Sequence, residues 1–198
     1  MTTHKQTVDS PEWHIYLGKI PYTENGLFWV SFESDPGLKR TKANIYARCL
    51  PCIQHLYEQL RAGKNEIDLG RAYHCWKVTA VLDHFDDCLN LLDRFEALFP
   101  AGHVYGKLGN GRTDSSKKVV VFHADNEPER DRLEKAMQTC LKTLDADAHV
   151  IISRACSILY EPLLGDWRQW RPTAAIRFPE KVAGHLERIK KILTYGTM

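Results

Sequence analysis

The chain has almost no excess of charge of either sign: 27 Lys and Arg against 25 Asp and Glu leave +2 with histidine neutral. No global field pulls it toward nucleic acid or an anionic membrane, so any such pull has to be local. Long hydrophobic runs are missing as well. No apolar stretch approaches the roughly 18 residues that cross a bilayer. The segment from Met1 to Trp13 is polar and lacks the apolar centre of a secretory leader. Short-period repeats and low-complexity tracts are absent. The six cysteines, at 49, 52, 75, 88, 140 and 156, include several on apolar helix faces. Without a leader, that pattern reads as reduced thiols in a cytoplasmic protein rather than a disulfide framework.

What remains is an ordinary soluble composition, 43% apolar and 26% charged over 198 residues, with enough chain to bury a core. Residues 26–33 are rich in aromatic and β-branched side chains and read as a strand, followed by the turn signal Ser34-Asp35-Pro36-Gly37. The spacing of Ile45, Cys49, Cys52, Leu56 and Leu60 predicts a helix from about Lys42 to Ala62, kinked or split at Pro51.

From residue 71 the pattern is regular. Strands are expected at 72–82, 103–108, 117–124 and 148–155. One helix carries the stripe Phe85, Cys88, Leu89, Leu92, Phe95 and Phe99. A second, capped at Asp125 or Asn126, carries Leu133, Ala136, Met137, Cys140, Leu141 and Leu144. Two strand–helix–strand halves joined by a hairpin make a ferredoxin-like β-α-β-β-α-β core in an α+β fold. The chain divides into an N-terminal strand and helix extension (1–70), this core (71–156) and a Trp/Arg-rich segment with a C-terminal strand and helix (157–198), together one compact unit. Both helices have one apolar face, so they should cover one side of the sheet. The other side is left for the two extensions, a partner or a ligand.

Three regions carry chemistry. The hairpin from His103 to Lys118 holds Tyr105, Lys107, Arg112, Lys117 and Lys118 around Gly109 and Gly111. Exposed amides beside cations suit an anion, although no Gly-Lys-Ser/Thr follows and the loop matches no phosphate-binding fingerprint. The bland reading is a soluble hairpin whose lysines discourage edge pairing. The segment 154–172 places Tyr160, Trp167, Arg168, Trp170 and Arg171 close together. This mixture suits base stacking and phosphate contact, or a protein–protein hot spot, or simply a well-packed loop plugging the sheet. Third, His103 and His123 fall on neighbouring strands, and Arg154 ends the fourth. If all three face the open side, they form an acid–base pair beside a cation, suited to a phosphodiester. Ordinary half-buried strand residues are the alternative.

Cys49-Leu50-Pro51-Cys52 has the form of a thiol redox pair at a helix N-terminus, but core cysteines explain it as well. With His55 it has close metal-ligand spacing, yet no second pair follows, so neither a metal nor a cofactor is expected. The leading expectation is binding, with hydrolysis a secondary expectation, of RNA, DNA or a nucleotide on the open sheet face. An assembly module using the Trp-rich segment, a homo-oligomer among its forms, is the second. A small-molecule enzyme using the same face is the third.

Overall fold

In the computed structural model, residues 14–18, 22–24, 27–39, 45, 47–99, 103–111, 114–144 and 147–195 are described. The elements in chain order are β1 (Tyr16–Leu17), β2 (Tyr22–Glu24), β3 (Leu27–Glu33), α1 (Leu50–Arg61), β4 (Glu66–Asp68), the short α2 (Arg71–His74), β5 (Trp76–Leu82) and α3 (Phe85–Leu98). Then follow β6 (Tyr105–Asn110), β7 (Lys118–Ala124), α4 (Glu127–Leu141), β8 (His149–Arg154), α5 (Ser157–Leu164), β9 (Thr173–Ala175) and α6 (Val182–Tyr195). No helix among the described residues is long and apolar enough to cross a membrane.

The fold is α+β, built on an antiparallel sheet ordered β1-β3-β6-β7-β5-β8, with β2 also on β3. Period-two alternation puts Val78, Ala80, Leu82, Val120, Phe122 and Leu108 on one face, where Cys88, Leu91, Leu92 and Phe95 of α3 and Leu133, Ala136, Met137 and Cys140 of α4 cover them. Each fully buried Leu or Phe there contributes about 1.5–3 kcal/mol through apolar area removed from water. Asn126 starts α4: its side chain accepts from the Glu129 amide, while the Glu129 carboxylate accepts from the Asp125 amide. Gly106 lies where a Cβ would be 1.9 Å from the Val121 carbonyl oxygen and 2.7 Å from the Phe32 ring, so β6 fits between β3 and β7 only with glycine at that position.

A second core stands apart from the sheet helices. Ile53, Leu56 and Leu60 of α1 pack with Tyr160 and Leu163 of α5 and Ile189 and Ile192 of α6. The pair β4 and β9 closes one side, with Ile67 opposite Ala174.

Several expectations change. The N-terminal strand does not cover the open sheet face but extends the sheet, pairing Trp29 to Glu33 with Gly109 to Tyr105. The helix expected from Lys42 begins at Leu50, with Pro51 in its first turn, where a proline lacks no partner; residues 40–44 and 46 lie outside the described set. The strand expected from Ala72 starts at Trp76, after the helical turn α2. Residues 157–164, expected within a loop, form the helix α5.

Candidate functional site

The sheet face away from α3 and α4 carries the odd-numbered residues of β3, β5, β6, β7 and β8. The register sets them in cross-strand rows. One row runs Glu33, Tyr105, then His123, Lys77 and Ser153, and the next runs Ser31, Lys107, Val121, Thr79 and Ile151. The last holds Trp29, Gly109, Val119, Val81 and His149. Beyond the first row, among the described residues, Ser31, Trp29, Val119 and Val121 are buried, and the face opens toward β5 and β8 as a trough of about 400 Å³. Its floor is Thr79, Val81, Val119, Val121 and Ile151, and Ile151 is 45% exposed. Lys77, Lys107 and Lys117 stand around this floor, with the start of α5 along one side. The Lys107 ammonium lies 4.4 Å from the centre of the Trp29 ring, a cation–π contact. Lys117 is paired with Asp83 across the hairpin base.

The Glu33, Tyr105 and His123 part of the first row is closed over by the turn before α1. Arg48, 2% exposed, inserts its guanidinium there. It donates from Nε to Cys75 Sγ at 3.1 Å, from Nη1 to Tyr105 Oη at 2.8 Å, and from Nη2 to Ala124 O at 3.0 Å and Asp125 Oδ1 at 2.8 Å. Tyr105 donates to Asp125 Oδ2 at 2.9 Å, and Arg71 reaches the same carboxylate at 3.4 Å. Burial opposes the Arg48 charge. Cys75, Tyr105 and Asp125 outweigh that and hold its pKa above the ordinary value. Asp125 is pulled the other way: burial would raise its carboxyl, but Arg48 and the Tyr105 hydroxyl bring it below the usual range.

His123 stacks on Tyr105 with ring centres 6.0 Å apart. It is buried, and neither ring nitrogen has a hydrogen-bond partner among the described residues. Burial, followed by the charges of Arg48, Lys77 and Lys107, pushes its pKa well below that of an ordinary histidine. The ring is therefore neutral at pH 7.

The expected trio does not assemble. His123 faces the open side. Arg154 lies opposite Trp76 in the register and so faces the helix-covered side. There its guanidinium lies 3.6 Å from the Trp76 ring centre and 4.2 Å from that of Tyr73, with Glu127 at 4.0 Å. Arg154 ends its strand on an even-numbered position, and that parity alone places it with the core. His103 is exposed and precedes β6 rather than belonging to it.

Of the expected ligand-binding residues, Lys107 and Lys117 line the trough and Tyr105 closes its inner end. Arg112 lies outside the described residues. Tyr160 is fully buried and donates to the Cys52 carbonyl at 3.0 Å. Trp170 is buried beside it and donates to Gly165 O. Trp167 packs edge-on against Trp76 with ring centres 5.8 Å apart. The two tryptophans therefore do not plug the open face, because they join the cores. Arg168 is exposed and pairs with Asp166, and Arg171 is exposed. Trp29, Lys77 and Arg48 were missed. Strand parity could have found Lys77, two residues before Thr79 on a strand of apolar even positions. Nothing local marks Arg48. No protein family, curated protein or solved structure matches this chain.

Proposed function

We propose that the protein binds a phosphate-bearing ligand, a single strand of RNA or DNA or a nucleotide, in the trough on the open face of its sheet. This reading takes β5-α3-β6-β7-α4-β8 as a ferredoxin-like unit, with strand order β6-β7-β5-β8 and its two helices on one face. The carrying observation is the chemistry of the uncovered face, where Lys77, Lys107 and Lys117 stand around a floor of Thr79, Val81 and Ile151. A flat apolar floor accepts the face of a base, and ammonium groups at its margin accept phosphates. Net charge of only +2 fits a confined basic patch rather than a general polyanion binder. The proposal is for binding. Hydrolysis by His103, His123 and Arg154 has no support, since His123 and Arg154 project from opposite faces of the sheet.

The test is anisotropy of a labelled single-stranded oligonucleotide over a salt series, with a nucleoside triphosphate as competitor. Three lysines contacting phosphates give a log–log salt slope near −2, from about −0.7 per contact. Lys107→Gln weakens binding and flattens that slope by about 0.7. A flat slope with wild type, or no binding of either ligand at low salt, refutes the proposal.

A further inference from the structure

We propose that Cys49 and Cys156 form a disulfide on oxidation by a hydroperoxide, and that Cys52 and Cys75 can replace Cys49 as the partner of Cys156 by thiol–disulfide exchange. Four of the six cysteines, from distant parts of the chain, converge where the turn before α1 meets the end of β8. Cys49 Sγ and Cys156 Sγ are 3.9 Å apart. The Cys52 and Cys75 sulfurs are also close enough to Cys156 for their thiols to be perturbed by it. The hub of the group is thus a sulfur, with the other three disposed around it. A tetrahedral metal site requires four sulfurs around a common empty point, and no three His, Cys, Asp or Glu among the described residues are arranged to hold a metal ion. A central thiol with three partners is instead the arrangement for exchange.

Local structure supports the same chemistry. Cys49 is the N-cap of α1 and Cys156 the N-cap of α5; the helix dipole favours a thiolate at Cys49, whereas Cys156 keeps its proton as donor to it. The Cys156 thiol donates to Cys49 and brings its pKa down to about 6 against the opposing effect of burial, with Lys77, Arg48 and Lys107 assisting. Cys75 is brought down to about 7 by Cys156 and Arg48. Cys156, as the donor to Cys49, is held well above an ordinary thiol, and burial pushes it the same way. The two remaining cysteines contrast with these. Burial pushes Cys88 up to about 12 and Cys140 up to about 11, which makes them inert core thiols.

Cys49 and Cys156 both line a small cavity beside Ile53, His185 and Ile189, of about 30 Å³. That admits a molecule of about the size of water. The oxidant is hydrogen peroxide, the smallest hydroperoxide, which reaches the partly exposed Cys49. The Cys49 thiolate attacks the peroxide: an S–O bond forms, the O–O bond breaks, and the leaving hydroxide takes up the proton that Cys49 had released. Cys156 then attacks the sulfenic sulfur, forming the S–S bond, breaking S–O and releasing water with its own proton. Two thiols and one hydrogen peroxide become one disulfide and two waters. The closing movement takes the sulfurs from 3.9 Å to about 2.05 Å.

The experiment treats the folded, full-length reduced chain with hydrogen peroxide, alkylates it under denaturing conditions and maps the peptides by mass spectrometry. Free thiols are expected to fall from six to four, with a bond joining Cys156 to Cys49, and Cys52 or Cys75 as minor partners. Cys156→Ser is expected to abolish the intramolecular bond and leave Cys49 sulfenic acid trappable by dimedone. Alkylation of the native reduced protein is expected to proceed at least tenfold faster at Cys49 than at Cys88 or Cys140, which needs no variant. Loss of no thiols, bonds involving Cys88 or Cys140, equal alkylation rates, or stoichiometric zinc or iron in the purified protein would overturn the proposal.

Discussion

Arg48 is the place to test whether the inner end of the trough is held as described. Replacing it with Met keeps much of the stem's volume but removes four donors. Tyr105 loses one of its two hydroxyl bonds and keeps Asp125. Ala124 O and Cys75 Sγ lose the contacts made by Arg48. A hydrogen bond to a charged group contributes about 1.5–3 kcal/mol. The Asp125 partner is half exposed, so its ion pair contributes at most about 1 kcal/mol. The methionine regains part of the burial and also removes the cost of enclosing a charge, so the net loss is about 3 kcal/mol. Urea denaturation reads this directly. With a slope of about 2 kcal/mol per molar, the midpoint falls by about 1.5 M. Arg48→Lys should lose nearly as much, because one ammonium cannot reach acceptors spread around a planar fork. The double variant with Tyr105→Phe should be non-additive, since the two residues share a bond. A midpoint shift below about 0.3 M for Arg48→Met, or full rescue by Lys, would refute this account of the site.

Gly106→Ala should cost about 3 kcal/mol or more, or leave the protein insoluble, because the added carbon would meet the Val121 carbonyl; a melting temperature unchanged from wild type would contradict this. His123 is neutral when folded and has an ordinary pKa near 6.5 when unfolded, so the unfolded state binds the extra proton as pH falls below that value. Stability should therefore drop from pH 7 toward 5.5 by up to about 1.4 kcal/mol per pH unit, and His123→Gln should remove that part of the slope while leaving the His185 contribution, which has the same sign. Identical slopes for the two proteins would contradict the neutral, buried assignment.

The four core strands and their helices were legible because hydrophobic period announces itself locally. Val119, Val121 and Phe122 can only be strand, and the stripe through Cys88, Leu92 and Phe95 can only be one side of a helix. Element ends were less visible: Pro51 reads as a kink until tertiary packing decides that the helix begins beside it. The site was harder for a physical reason. Which face a strand residue takes depends on register, and a shift of one residue exchanges the faces. Lys107 and Arg154 are both cations on strands, yet one borders a solvent trough and the other lies against Trp76. Arg48 meets the Cys75 sulfur, and Cys49 that of Cys156, across 27 and 107 positions of sequence, which no local pattern encodes.

The most direct test of the binding face is chemical-shift mapping of isotope-labelled protein titrated with a short single-stranded oligonucleotide. The account predicts shifts concentrated on Lys77, Thr79, Lys107, Val121 and Ile151, residues lining or facing the trough, with Leu133 and Met137 of α4 unmoved. Perturbations confined to Arg168 and Arg171, or spread over the helix-covered side around Arg154, would contradict it.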